Sequence, residues 1–169
     1  MTYNIHPLVV HFPIALLLVY SFIKILPLAK YFPNVAWKHI ERALLVFGVL
    51  GAFASLSTGE IAEELVNPNR KLVETHAFFA NFSTWIYGLL LAGEILSYLN
   101  VSFIPRLQTS IITKLTFNLE RLLTHPILSK VLAFVGFIAI SVTGMLGGIM
   151  VYGVTADPLA PMVMQILGL

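Results

Sequence analysis

His6-Pro7-Leu8-Val9-Val10-His11-Phe12-Pro13-Ile14-Ala15-Leu16 opens an apolar run that meets no charge until Lys24. A helix of about 20 apolar residues crosses the hydrocarbon core of a bilayer, so this stretch sets the fold as all-α and membrane-embedded. Pro7 suits a first helical turn, where its missing N–H would be unpaired in any case. Pro13 removes a backbone bond further in and favours a kink. An imidazole at the edge of hydrocarbon costs free energy unless it is paired or bound, which makes His6 and His11 functional candidates. The plainer reading has both rings bonded to interfacial water or headgroups.

Composition supports the same class. The chain of 169 residues is 58% hydrophobic and 11% charged, with a mean hydropathy of +0.89. A soluble domain carries about a quarter charged residues. The length fits one domain, 1–169. Cysteine is absent, which excludes disulfides, thiolate zinc sites and cysteine-ligated iron–sulfur clusters. The net charge of +2 is spread along the chain and leaves no nucleic-acid footprint. Met1-Thr2-Tyr3-Asn4 lacks a positive n-region and no small-residue cleavage site follows, so the first apolar segment is expected to be retained.

Four stretches are long and apolar enough to span: 6–28, 37–57, 76–98 and 126–152. Residues 58–75 read as a polar, acidic link. From Arg106, apolar residues recur at Leu107, Ile111, Leu115, Leu119 and Leu122 with polar residues between, which predicts an amphipathic helix over 106–123 lying in the interface. The apolar tail after Pro158 is too short to span and reads as a surface or partner contact. The expected architecture is a four-helix membrane bundle with an interfacial helix between spans three and four. With the N-terminal end labelled side A, side B holds Lys24, Lys30, Lys38, Arg42, Arg106, Lys114, Arg121 and Lys130, eight of the ten basic residues. The positive-inside rule makes side B cytoplasmic and puts both termini outside.

That topology gathers His6, His11 and His76 at side A and leaves His39 and His125 at side B. Along a helix His6 and His11 point about 140° apart and differ by about 7.5 Å in depth, which does not suit one compact ion. A b-type haem needs two imidazoles from facing helices. It also needs small residues where the flat ring meets backbone, and Gly144, Gly147 and Gly148 lie at the level of His11 and His76. Bis-histidine haem iron ligation by His11 and His76 is the leading expectation, with His6 as a substitute for either. The ordinary role of such glycines is close helix packing. A second haem between His39 and His125 is a weaker expectation, since His39 sits among Lys38, Glu41 and Arg42. A rival uses His6, His11 or His76 with Glu60, Glu63 or Glu64 for a bare metal ion. Glu94, inside the third span, reads as an acid paired with a lysine or arginine, or as a proton relay. No serine–histidine–acid arrangement or phosphate loop is visible, so no catalytic role is expected.

The opening motif, with Thr143-Gly144-Met145-Leu146-Gly147-Gly148-Ile149-Met150-Val151-Tyr152-Gly153 late in the chain, resembles a family of small bacterial membrane domains of unknown function. Some members of that family are fused to or encoded beside Rieske-type or cytochrome partners. His76 falls where the family tends to have a third-helix histidine. Related sequences often carry a histidine beside the late tyrosine, whereas Gly153 and Val154 follow Tyr152 here. The resemblance implies a redox-linked membrane domain of the bacterial inner membrane, with cytochrome or Rieske subunits, the lipid bilayer or a second copy of the chain as partners. The combined expectation is a cytochrome b-like electron carrier of a respiratory chain. A cofactor-free accessory subunit of a respiratory or photosynthetic complex, and a histidine–glutamate metal-binding protein, are the alternatives.

Overall fold

A computed structural model describes residues 5–66, 69–102 and 111–169. Four helices form the frame: α1 (His6–Ile25), α3 (Trp37–Val66), α4 (Arg70–Ser102) and α6 (Pro126–Tyr152). Each is long and apolar enough to cross a membrane. Shorter helices are α2 (Leu28–Tyr31), α5 (Ile111–Leu123) and α7 (Ala160–Leu167), and no strand occurs among the described residues. The chain is an all-α membrane bundle, as its hydropathy requires.

The polarity of the fold is that of a membrane protein. Only 22–33% of the most apolar window of each span is buried, so most of its hydrocarbon faces outward. Phe12, Phe22, Phe47, Phe78, Trp85 and Phe134 are exposed, while Ser21, Ser83, Thr84, Ser129 and Thr143 are buried inside. Lipid makes the outward apolar face costless. The inward hydroxyls largely donate to backbone carbonyls of their own helices, as Thr84 does to Ala80 at 2.8 Å and Thr143 to Ala139 at 2.9 Å.

The spans form a ring in which α1 packs on α3 and α6, and α4 packs on the same two. Neighbours run antiparallel: on α3, Gly48, Gly51 and Gly59 meet Leu17, Pro13 and His6 of α1 in reverse order. Small residues set that α1–α3 approach. A Cβ on Gly48 would lie 2.5 Å from Leu17, and one on Gly51 would lie 3.2 Å from Pro13. Pro13 is buried there, and α1 continues through it as one helix. The central core joins Leu17, Tyr20, Leu45, Val49, Tyr87, Leu90 and Ile140. At side B, Lys24 pairs with Glu41 at 2.9 Å and Arg42 with Glu94 at 2.8 Å, tying α1 to α3 and α3 to α4.

Several boundaries depart from the sequence reading. Residues 58–75 are mostly helix: α3 continues to Val66 and α4 begins at Arg70. Hydropathy marks where lipid ends, whereas Glu60, Ala62, Glu63, Glu64 and Leu65 are good helix formers that carry the helix into water. Asn69 starts α4 by accepting the Lys71 N–H at 3.0 Å on its side-chain oxygen. Helix α1 ends at Ile25, two residues before Pro27, rather than at 28. The amphipathic helix begins at Ile111 in the described residues, and 106–110 of the expected span lie outside them. The tail, expected as a surface or partner contact, keeps Leu159, Met162 and Ile166 exposed. It folds as α7 onto the side-A end, burying Ala160 among Leu72, Leu146 and Ile149. The Lys71 ammonium donates to the Gly168 carbonyl there.

Candidate functional site: a histidine-lined cavity

Helices α1, α3, α4 and α6 diverge at side A around a cavity of about 410 Å³, a size usual for cofactor and small-molecule sites. His6, His11 and His76 all line it, and so do Gly144, Gly147 and Gly148. The expected side-A cluster is thus brought to one chamber. His39 and His125 are not part of it. Both are exposed, at the side-B ends of α3 and α6.

The helices fix each ring differently. His76 projects from α4 against α6, where its Nδ1 donates to the Thr143 carbonyl at 3.0 Å. Its Cε1 is 3.3 Å from where a Cβ on Gly147 would stand, so glycine leaves room for the imidazole. The His11 Nδ1 donates to the Pro7 carbonyl one turn back. A carbonyl accepts only a proton, so in both residues Nδ1 carries the hydrogen and Nε2 is the basic nitrogen. Metal-ligating histidines are commonly oriented this way. His6 faces α3: its Nδ1 is 2.9 Å from the Thr58 hydroxyl, and its Cε1 lies 3.3 Å from the position of a Cβ on Gly59. His6 is also near enough to His76 for their charges to interact.

Depth can be read from contacts between helices. Gly144 of α6 faces Ile14 of α1, whose Cδ1 is 3.6 Å from a Cβ built there. One turn outward on α6 stands Gly147, against His76, and one turn outward on α1 stands His11. His11 and His76 therefore share a level, with His6 more than a turn nearer to water.

The glycines of α6 divide by role. A Cβ on Gly148 would meet nothing within 4 Å and one on Gly144 only the tip of Ile14. The pair is not a close helix contact of the kind seen at Gly48, Gly51, Gly93 and Gly136. It forms an open, flat wall of the cavity. Among the described residues no three His, Asp or Glu side chains converge to hold a bare metal ion. Glu60 lines the cavity, but the side chains of Glu63 and Glu64 lie outside the described residues.

Sequence reasoning passed over the hydroxyl lining, Ser55, Ser83, Thr84 and Thr143. A signal was present: His76, Ala80, Ser83 and Thr84 are spaced by four, three and one, which puts them on one face of a helix.

A four-span bundle with a histidine-lined chamber at one end defines a class of small polytopic membrane protein. The chain belongs to the family described as predicted membrane protein (DUF2231), a membrane family of unknown function, whose model matches residues 2–157. No curated protein and no solved structure matches it.

Proposed function

We propose that the side-A cavity is a site for one b-type haem, whose iron His11 and His76 would hold, and that the protein is a non-catalytic electron carrier of the bacterial cytoplasmic membrane. The observation that carries this reading is the open glycine wall at Gly144 and Gly148, at the level of two imidazoles whose Nδ1 protons are already donated to carbonyls. A planar ring needs backbone without side chains on one flank and a basic nitrogen above and below. When bound, the haem would supply a reversible one-electron couple. The protein's own part is to orient the two Nε2 atoms, to close the inner end with Ile140 and Thr84, and to leave the outer end open toward a partner cytochrome or Rieske subunit. His6 would sit at the mouth as an accessory group.

The test is a reduced-minus-oxidised visible spectrum of detergent-purified protein from cells supplied with haem. Wild type is expected to show a low-spin b-type spectrum. His11→Ala and His76→Ala should each abolish it, while His39→Ala and His125→Ala should leave it intact. His6→Ala should matter less than His11→Ala. Absence of any Soret band in the wild type would overturn the haem reading in favour of a cofactor-free accessory subunit.

A further inference from the structure

A polar line continues inward from the cavity. On α4, His76, Ser83, Tyr87 and Glu94 fall within about 40° of one another around the axis and extend over about 27 Å, nearly the hydrocarbon thickness. Every one has a polar partner or a place in the chamber. Ser83 lines the inner end of the cavity beside Thr84. Tyr87, fully buried, shares a hydrogen bond of 2.8 Å with the equally buried Ser21 of α1. Glu94 pairs with Arg42, and Lys24, one turn beyond Ser21, pairs with Glu41. The half-buried carboxylates of Glu41 and Glu94 are close enough to act electrostatically on the buried Tyr20, whose ring meets that of Tyr87 edge-on at 6.1 Å.

We infer that this line is a proton route joining the side-B carboxylates to the side-A cavity, with the Tyr87–Ser21 hydroxyl pair as its central link. Hydroxyls buried within the spans are costly, and polar groups there commonly mark ion or proton pathways. On side A, Thr84 stands one helical turn, about 5 Å, from Tyr87; on side B, Lys24 stands one turn from Ser21 and Glu94 two turns, about 10 Å, from Tyr87, so protons pass these legs only when water enters the packed core between them. A proton arriving from Glu94 or Glu41 through such water adds to one hydroxyl oxygen. That oxygen passes its own proton to the other hydroxyl, which releases one to water at Thr84. Each hydroxyl ends with one hydrogen, so charge and atoms balance and no electron moves. Lys24, Arg42 and Tyr20 surround the two carboxylates at the side-B end of the route. Gly136 leaves the space that the Tyr87 ring occupies, since a Cβ there would come within 2.9 Å of Cζ.

The route rests on the cavity as a chamber open to water and not on what the cavity holds, so it can fail while the haem reading stands. The experiment uses the full-length protein in phosphatidylethanolamine–phosphatidylglycerol vesicles containing a pH-sensitive dye, with a potassium diffusion potential as the driving force. Wild type should carry protons above the rate of protein-free vesicles. Tyr87→Phe keeps the ring and its packing and removes only the hydroxyl, and should reduce the flux to the protein-free level. Ser21→Ala should do the same. Thermal unfolding in detergent reports any structural loss separately, and Phe78→Leu, on the outward face, serves as a folded control with unchanged flux. Flux in Tyr87→Phe equal to wild type, or no flux in wild type, would overturn the route and leave the hydroxyl pair as a packing bond between α1 and α4.

Discussion

At the scale of single residues, glycine positions in this bundle separate by what a side chain would meet. Gly48 is a site of helix approach, because Leu17 already fills the space a Cβ would need. Gly148 and Gly88 are both open, but only Gly148 lines the cavity. This gives a clean comparison for the flat-ligand reading. A Cβ at Gly148 meets nothing within 4 Å, so Gly148→Leu projects into the chamber from an open position and, on the haem reading, should remove most of the haem while the protein still purifies as a folded bundle. Gly88→Leu adds the same volume to an equally open position elsewhere and should leave the haem content unchanged. Haem per protein, measured by pyridine haemochrome on each purified variant, checks both. Normal haem content in Gly148→Leu would mean that no planar ligand lies against that wall.

At the scale of elements, the sequence yields some helices more readily than others. The four spans are legible because about 20 apolar residues have few other uses. Their extensions into water are not: the stretch that lengthens α3 beyond 57 carries three glutamates, and charge says nothing about whether helical hydrogen bonding stops. The meeting of His6, His11 and His76 at one end followed from topology, since an even number of turns returns α4 to the side where α1 begins. Which of them faces which helix did not follow, because that depends on the rotation of α1 against α3 set by Leu17 on Gly48. The hydroxyl lining was hidden for another reason. Ser and Thr inside a span satisfy themselves on their own backbone, and so leave only weak marks in an apolar pattern. Helix α5 was legible from its period alone. Ile111, Leu115, Leu119 and Leu122 share one exposed face, and at its edge Gly93 of α4 lets Leu123 dock, since a Cβ there would lie 2.9 Å from it. An exposed apolar face on a helix this polar belongs in the headgroup boundary. A tryptophan at Leu115 should therefore be quenched by brominated lipids, and one at Lys114 should be quenched far less. Equal quenching at the two positions would place α5 either fully in water or fully in lipid.

At the scale of the whole molecule, orientation follows from where the cations stand. Lys24, Lys30, Lys38 and Arg42 cluster around the junction of α1 and α3, and Lys114, Arg121 and Lys130 around α5 and the start of α6, all at one end of the bundle. Arg70 and Lys71 stand at the other end, which also holds Glu60, Glu74 and Asp157. Basic residues near span ends resist export across the membrane whether or not acids accompany them, which predicts a cytoplasmic location for the lysine-rich end. Two of these cations, Lys24 and Arg42, are engaged with Glu41 and Glu94, but pairing does not alter the rule, to which acids contribute little. The cavity, the α7 cap and both ends of the chain then face the outside. A reporter active only outside should be active when fused after Leu169, and one active only in the cytoplasm should be active when inserted within Ile111–Leu123. Cytoplasmic activity at Leu169 together with external activity in α5 would invert the molecule. The cavity would then open to the cytoplasm, and the proposed electron carrier would have to meet its partner there.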